Sequence, residues 1–369
     1  MAGGLRRELG ELAGLFFTLG AVGFGGPAAH IAMMEERVVR RRGWMTREEF
    51  LEMVGVVNLL PGPNSTELAI HVGWRRAGLP GLLVAGVAFI LPATAIVLGC
   101  AWAYERFGSV PAVQGIWRGV QPVVIAVVLT ALVGFARTGL RTIRHGLVAA
   151  VALLLAAAGV HELVVLLAAG VLSLGAGAAG LLALAVPPAL PLLLAAAGEP
   201  TAGSLFLFFL RVGSVLYGSG YVLLAFLRAG LVERAGWLTE AQLLDAVAVG
   251  QATPGPVFTT ATFVGYLLDG VGGALAATVG IFLPAFLLVA ASGPLVRWLR
   301  RSAPARRFLE GVTAGSIALM AVVAWQLGRA ALDGPAAVAL AVASVLLLRA
   351  GLNSALLMLA GAAAGVLLA

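Results

Sequence analysis

Two Pro-Gly-Pro motifs interrupt apolar stretches of this 369-residue sequence, at Pro61-Gly62-Pro63 and at Pro254-Gly255-Pro256. Proline lacks an N–H group and clashes with the preceding turn, so each motif is predicted to end one helix and to start another at its second proline. The first N–H groups of a helix have no acceptor within it, and its N-terminus carries about half a positive charge. Two such N-termini predict an anion-binding site. A pair of purely structural kinks, which are common in membrane helices, is the alternative interpretation.

Polar residues beside the two motifs are candidates for direct contact with a bound anion. Their hydroxyl and amide groups can donate hydrogen bonds to an oxyanion. The candidate substrate-binding residues of this kind are Asn58, Asn64, Ser65, Thr66, Gln251, Thr259 and Thr260.

Ionisable residues within apolar stretches are rare in membrane proteins and are functional candidates by default. Arg211 lies inside the apolar run 205–227 and is expected to neutralise part of the anion's charge. Pairing with a backbone carbonyl, or snorkelling of the side chain to the membrane interface, is the alternative for this arginine. Glu67 and His30 are the candidates for proton coupling, and His71 is a further candidate relay, although a simple hydrogen-bonding role is the alternative for each.

The composition predicts a multi-pass protein of the inner (plasma) membrane. Hydrophobic residues make up 61% of the chain and charged residues 11%, whereas a soluble domain has about a quarter of its residues charged. The apolar stretches are long enough to span a bilayer, which excludes a soluble helical protein. All 24 basic residues are arginines, and most of them lie in short loops between apolar segments, so the lipid bilayer is the predicted partner and nucleic acid is not. The sequence is also compatible with a homo-oligomer.

Motifs for metal, nucleotide and redox chemistry are missing from the sequence. Cys100 is the single cysteine, and no spacing of ligands typical of a metal site occurs. No P-loop is present, so coupling to ATP is not predicted. We therefore expect no cofactor, no metal and no enzymatic activity.

The two halves of the chain are repeats of one another. Gly20 and Gly213, Trp44 and Trp237, and Pro61 and Pro254 are all separated by 193 residues. The offset then falls to 192, as for Pro92 and Pro284. This ordered series predicts an N-terminal repeat over residues 1–180, a connector over 181–202 and a C-terminal repeat over 203–369.

Each repeat is predicted to be all-α, with about five transmembrane helices and a proline-broken helix pair. In the first repeat, a long helix should reach about Met34, and the broken pair should cover about 47–60 and 64–77. Five arginines in the loop 35–49 indicate a cytoplasmic loop. Later arginines fall on the same side only if the broken pair is re-entrant. An odd number of crossings then inverts the second repeat, an architecture common in secondary transporters.

The sequence resembles the chromate ion transporter (CHR) family in its long two-domain form. The resemblance rests on Phe24-Gly25-Gly26-Pro27, Leu60-Pro61-Gly62-Pro63, Arg211, Gly236-Trp237-Leu238 and the run from Gln251 to Pro256. It implies export of chromate, with sulfate as a structural look-alike. The sequence departs from the family pattern in two places. Asn64-Ser65-Thr66-Glu67-Leu68 replaces the usual Gln-Leu-Ala type of run, and Tyr217-Gly218-Ser219-Gly220 replaces an uninterrupted Gly-Gly-Gly.

Three other functions are alternatives to the export of chromate or a similar oxyanion. The nearest is transport of another anion, such as sulfate or a small organic acid. An intramembrane enzyme acting on lipid phosphate would need His, Asp and Arg clustered at one interface, and the four histidines are scattered. A structural or receptor protein does not explain paired broken helices.

Overall fold

The computed structural model describes residues 2–24, 26–108, 110–175, 198–217, 220–292 and 302–368. Regular structure in these residues is helical throughout. Most of the predicted connector, residues 181–197, lies outside the described residues. The chain forms two compact units, and each unit takes segments from both predicted repeats. Unit 1 contains Met1–Gly108, Pro200–Leu216 and Val249–Arg297, and unit 2 contains Ser109–Glu199, Tyr217–Ala248 and Trp298–Ala369.

The helices of the first half begin and end at the following residues. They are α1 (Ala2–Val22), α2 (Gly26–Met34, followed by a π-helical turn at Glu35–Arg41), α3 (Arg47–Val57), α4 (Asn64–Phe107), α5 (Pro111–Gly139), α6 (Ile143–Ala157) and α7 (Glu162–Leu172).

The second half repeats this order of elements. They are α8 (Ala202–Val215), α9 (Leu223–Leu227, between a 3₁₀ turn at Gly220–Val222 and a π-helical turn at Arg228–Arg234), α10 (Glu240–Ala252), α11 (Thr260–Ala290, after a 3₁₀ turn at Val257–Thr259), α12 (Ala303–Ala331), α13 (Pro335–Arg349) and α14 (Ser354–Leu368).

Four described helices are long and apolar enough to cross a membrane: Asn64–Phe107, Val113–Gly139, Val257–Ala290 and Ala303–Ala331. Five further apolar helices are shorter, such as Ile143–Ala157. A 15-residue helix is about 22 Å long, which is less than the ~30 Å thickness of the hydrocarbon core. Each repeat therefore has two helices that are both long and apolar enough to span, among the described residues, where the sequence predicted about five.

The first helix is broken, and the prediction of one helix reaching about Met34 is wrong. Helix α1 ends at Val22, and α2 begins at Gly26, whose φ is +74°. The glycines at 23–26 favour non-helical backbone, and Pro27 has no N–H group to continue the α-helical ladder. Each repeat thus contains one break in its first helix and one at its Pro-Gly-Pro motif.

Helices α4 and α11 each fold back on themselves at a two-residue kink. Ala77 and Gly78 are non-helical in α4, and a Cβ built on Gly73 would lie 2.2 Å from the carbonyl oxygen of Gly81. Residues eight apart in a straight helix are about 12 Å apart, so the chain must reverse between them. The same geometry recurs in α11, where the kink is at Asp269 and Gly270. The segments after the kinks, 79–107 and 271–290, are each long enough to cross the hydrocarbon core and are called the spanning segments below.

Helix packing in unit 1 depends on close approaches at glycine. A Cβ on Gly20 of α1 would lie 2.2 Å from the Phe89 carbonyl oxygen of α4. A Cβ on Gly213 of α8 would lie 2.4 Å from the Ile281 carbonyl oxygen of α11. These two contacts occupy equivalent positions in the repeats. They hold the first helix of each repeat against its spanning segment.

The spanning segments of α4 and α11 also pack against each other. Leu82 packs in one cluster with Ala285 and Val289. A Cβ built on Gly86 would lie only 2.5 Å from the Cζ atom of Phe286, so the Phe286 ring packs directly on Gly86. The early residues of one segment therefore contact the late residues of the other.

Candidate functional site

The first Pro-Gly-Pro motif separates α3 from α4 and starts a helix with unpaired N–H groups. Pro63 is extended and occupies the N-cap position, instead of the first helical position expected from the sequence. The N–H groups of Thr66 and Glu67 donate to the Pro63 carbonyl at 2.8 and 3.0 Å. The N–H groups of Asn64 and Ser65 have no acceptor in this first turn. They are the backbone donors that the break offers to a ligand.

The second motif also starts a helix, through the 3₁₀ turn at Val257–Thr259, but its hydroxyl groups are used differently. Pro256 is again an extended N-cap, and the Thr259 N–H donates to its carbonyl at 3.0 Å. The Thr259 hydroxyl donates to the same carbonyl at 2.9 Å, and the Thr260 hydroxyl donates to the Val257 carbonyl at 2.8 Å. Both hydroxyl hydrogens are therefore engaged within their own turn, and each oxygen retains only its capacity to accept.

Each Pro-Gly-Pro motif is hydrogen-bonded to the break in the first helix of the other repeat. The Gly62 N–H donates to the Leu216 carbonyl at 2.8 Å, and the Gly255 N–H donates to the Gly23 carbonyl at 2.8 Å. Donors and acceptors are both separated by 193 residues, so the two bonds are equivalent. A Cβ on Gly255 (φ +92°) would lie 2.5 Å from the Ala93 Cβ atom, so the approach requires glycine.

His30 supports the break in α1. Its side chain is 1% exposed, its ring lies edge-on to Phe89, and its Nε2 atom is 2.8 Å from the Gly23 carbonyl oxygen. A carbonyl oxygen only accepts hydrogen bonds, so Nε2 carries the hydrogen. The Nδ1 atom is buried and has no hydrogen-bond partner in the part of the chain that the structure describes.

Three side chains of the first turns of α4 carry buried polar atoms without hydrogen-bond partners among the described residues. They are the Thr66 hydroxyl, both carboxyl oxygens of Glu67, and Nε2 of His71. Thr66 and Glu67 are 0% exposed. The Glu67 Oε1 atom lies 2.5 Å from the position of a Cβ on Gly62, so the carboxyl group rests on the Pro-Gly-Pro turn. Unpaired buried polar groups are costly, and several in one place indicate a site that is completed by a ligand or a proton.

The remaining candidate residues differ in their placement. Asn64 donates through its side chain to the Asn58 side-chain oxygen at 2.8 Å, which bridges the first break. Gln251 is partly buried in the last turn of α10, and Ser65 is 3% exposed in α4. Arg211 is partly buried on the face of α8 opposite Phe209 and Gly213. No hydrogen bond or ion pair of Arg211 occurs within the described ranges.

Ion pairs hold the outer ends of the broken pair together. Arg75, near the end of the first segment of α4, binds Glu49 in the first turn of α3. The Thr46 N–H and the Arg75 guanidinium together hold the pKa of the Glu49 carboxyl below its usual value. Arg76 binds Glu11 at 2.6 Å and lies 4.1 Å from the centre of the Trp44 ring.

Sequence reasoning missed a charge-reversed pair of ion clusters. Glu35 pairs with Arg47 at 3.0 Å and with Arg40 at 3.9 Å. At an offset of 193, Arg228 pairs with Glu240 at 2.5 Å and with Glu233. A carboxylate in one repeat therefore corresponds to a guanidinium in the other at each of these positions. Comparing the charges of residues 193 apart in the sequence could have revealed this exchange.

A second polar region, in unit 2, was also missed. A cavity of about 350 Å³ is lined by Arg228, Glu233, Arg234, Glu162, His161 and Gln326, among others. Arg234 binds Glu162 through two hydrogen bonds of 2.8 and 2.5 Å, and Arg228 donates to Gln326 at 2.7 Å. These charges are paired with one another, unlike the polar atoms at the start of α4.

Comparison with known proteins gives consistent matches along the chain. The sequence matches the protein family described as Chromate transporter over residues 10–198 and 203–366. It is 33% identical to the chromate transport protein of Cupriavidus metallidurans over 96% of this chain and 92% of the relative. It is 33% identical to the probable chromate transport protein of Synechococcus elongatus, over 88% and 86%, and 32% identical to the chromate transport protein of Pseudomonas aeruginosa, over 84% and 79%. No solved structure matches.

The position of Glu67 over Gly62 predicts how an alanine at residue 62 should behave. Gly62→Ala adds a Cβ where the carboxyl group lies, whereas Gly78→Ala, also at positive φ, meets no atom within 4 Å. We expect Gly62→Ala to cost about 1–3 kcal/mol more of the unfolding free energy than Gly78→Ala, measured by thermal unfolding in detergent. In a Glu67→Ala background this extra cost should fall by at least about 0.5 kcal/mol. If the losses of unfolding free energy caused by Gly62→Ala and Glu67→Ala were strictly additive in the double variant, the contact between Glu67 and Gly62 would be contradicted.

Proposed function

Because the chain belongs to the chromate transporter family, we propose that it exports chromate from the cytoplasm through a site formed by the two Pro-Gly-Pro breaks. The chain is a multi-pass membrane transporter, and family membership supports chromate as its substrate. Transport of sulfate or a small organic acid is the alternative. The direction of transport and the position of the site are the parts of this proposal that go beyond the family.

The observation that carries the site is the pair of helix starts at matched positions. Each Pro-Gly-Pro motif begins a helix whose first N–H groups lack intrahelical acceptors, at Asn64 and Ser65 and at Val257 and Phe258. Helix N-termini favour anions through these donors and through the helix dipole. The unpartnered Thr66 hydroxyl adds a side-chain donor at the first break. Asn58 and Gln251, at the ends of the preceding helices, remain predicted contacts. Thr259 and Thr260 could donate to an anion only if their hydroxyls turned away from the Pro256 and Val257 carbonyls.

The direction of transport follows from charge. With the cell interior negative, moving a dianion outward gains about 4.6 kcal/mol per 100 mV, twice the value for one charge. Export therefore runs electrically downhill, whereas uptake of the same dianion would need a coupled ion.

We further propose that the broken pair is re-entrant and that the repeats are inverted. The ion pair between Glu49 and Arg75 supports re-entrance, because it joins the start of α3 to the end of the first segment of α4. Contacts of early residues in one spanning segment with late residues in the other, as for Gly86 and Phe286, support antiparallel repeats. Inverted repeats typically place substrate sites near the bilayer midplane, at half-helix N-termini.

Cysteine labelling tests this topology. In a Cys100→Ala background, Arg42→Cys and Leu79→Cys should react with an impermeant maleimide from the cytoplasmic side only. Both positions avoid the neighbouring glycines at 43 and 78, which have positive φ. Arg106→Cys, at the far end of the spanning segment, is the matched control and should react from the outside. Reaction of residues 42 and 79 from opposite sides would refute re-entrance.

Vesicle transport tests the function itself. Inverted membrane vesicles containing the protein should accumulate radiolabelled chromate, and a lumen-positive potential should increase the uptake because the anion carries negative charge. Excess sulfate should compete if the site recognises the tetrahedral oxyanion. Uptake equal to that of vesicles without the protein would reject the proposal.

Variants at Arg211 test whether its charge serves the anion. Arg211→Gln should abolish chromate uptake while the protein remains inserted and folded, since a buried anion loses its countercharge. Arg211→Lys should retain part of the activity, because a point charge remains while the planar set of donors is lost. Uptake at the parental rate in the Gln variant would remove Arg211 from the site.

Two equivalent threonines provide a matched test of the hydroxyl groups. Thr66→Val removes a hydroxyl without a described partner, so chromate binding should weaken by about 1.5–3 kcal/mol, or roughly ten- to a hundredfold. Thr259→Val removes a hydroxyl whose hydrogen is already donated to Pro256, so binding should change by less than about threefold. Equal losses in both variants, measured by calorimetry on purified protein, would contradict the difference between the breaks.

A further inference from the structure

We infer that Glu67 binds one proton together with the anion, so that each chromate crosses the membrane accompanied by a proton. This inference rests on the proposed function, since it places the proton at the same Pro-Gly-Pro site. It goes further by naming a second ligand, the residue that holds it and the mutual dependence of the two binding events.

The surroundings of Glu67 require a neutral side chain in this conformation. The residue is 0% exposed, and neither carboxyl oxygen has a hydrogen-bond partner among the described residues. An ionised carboxylate buried without a partner is so costly that the group takes up a proton instead. Glu67 lies in the first turn of α4, and its carboxyl group lies against Gly62 of the Pro-Gly-Pro motif. The preceding residue, Thr66, carries the hydroxyl that has no described partner.

No cation among the described residues forms an ion pair with Glu67. Along α4, His71 lies one turn away, and the next cations, Arg75 and Arg76, are paired with Glu49 and Glu11. Segment 271–290 of α11, which contacts Gly62 through Ala285, contains no titratable residue. The titratable residues of the other neighbouring elements are Arg6, Arg7, Glu8 and Glu11 of α1, His30 of α2, Arg47, Glu48, Glu49 and Glu52 of α3, and Arg211 of α8. Arg7 binds Glu11, Arg47 binds Glu35, and His30 is hydrogen-bonded to the Gly23 carbonyl. No contact of Arg211 with Glu67 occurs among the described residues.

The anion and the proton must favour each other's binding at this turn. An ionised Glu67 would repel a dianion held by the N–H groups of the same turn, whereas a neutral carboxyl can donate a hydrogen bond to an anion oxygen. Since the coupling of two ligands is reciprocal, a bound anion raises the affinity of Glu67 for a proton by the factor by which the proton raises anion affinity. Export then carries one net negative charge per chromate instead of two.

The proton site belongs to one repeat only. The residue equivalent to Glu67 is Thr260, which donates its hydroxyl to the Val257 carbonyl and cannot titrate near neutral pH. Glu67 also lies within the run that departs from the family pattern, Asn64-Ser65-Thr66-Glu67-Leu68. One anion site should therefore take up one proton at most.

Proton uptake on anion binding tests the inference directly. Chromate is added to purified protein in weakly buffered detergent solution with a pH-indicator dye, from neutral to alkaline pH. The parent should take up a number of protons that rises toward one per bound anion, and its affinity should fall by up to about tenfold per pH unit. Glu67→Gln should take up none and should bind with an affinity that no longer follows this dependence. Proton exchange by chromate itself contributes equally to the parent and to the Glu67→Gln variant at a given pH, so the difference between the two proteins reports the proton bound by Glu67.

Three further variants test whether Glu67, and no neighbouring titratable group, accepts the proton. Glu48→Gln and Glu52→Gln, at two exposed carboxyls of α3, should both keep the parental proton uptake. Glu67→Thr, which installs the residue of the other repeat, should behave like Glu67→Gln and serves if the latter does not fold. Parental proton uptake in both Glu67 variants, or loss of proton uptake in either α3 variant, would overturn the inference. Chromate binding without proton uptake in the parent would overturn it while leaving the proposed function intact, whereas no chromate binding would reject the proposed function.

Discussion

Every backbone N–H and C=O group within the hydrocarbon region must find a partner inside the protein, and the structure of unit 1 follows from how its broken helices meet this requirement. Two Pro-Gly-Pro motifs and two breaks in the first helices release backbone groups close to one another. The breaks satisfy one another in crossed pairs, Gly62 with Leu216 and Gly255 with Gly23. The carbonyl of Gly23 accepts a second hydrogen bond from His30. The groups left over are the first N–H groups of each new helix, which is where an anion would complete the pairing.

The two repeats share a backbone but differ in side-chain chemistry at equivalent positions. Thr66 and Glu67 leave polar atoms without described partners, whereas Thr259 and Thr260 satisfy their hydroxyl hydrogens within their own turn. The ion cluster around Glu35 reappears around Arg228 with its charges exchanged. Two identical repeats would offer the ligand identical groups at both breaks. Because the side chains differ, a proton site can exist in one repeat and be missing from the other.

Features set by backbone chemistry could be predicted from the sequence, and features set by packing could not. The helix breaks at Pro61–Pro63 and Pro254–Pro256 followed from proline alone, and the constant offset of 193 anticipated the equivalent hydrogen bonds of Gly62 and Gly255. The break after Val22 was missed because its apolar stretch looks continuous, and its cause is a cluster of glycines ahead of Pro27. The local hydroxyl bonds of Thr259 and Thr260, and the burial of Glu67, depend on rotamers and neighbours that a sequence does not display.

Chromate binding to purified Pro63→Ala and Pro256→Ala variants, compared with the parent and with thermal stability as a control for folding, tests the central claim most directly. Alanine can continue a helix through each break and supplies an N–H group of its own, so the amides that start the new helix would find acceptors within it. The account predicts folded variants whose chromate affinity is reduced by at least about tenfold, the equivalent of about 1.4 kcal/mol. Folded variants that bind chromate as tightly as the parent would contradict a site built on these helix N-termini.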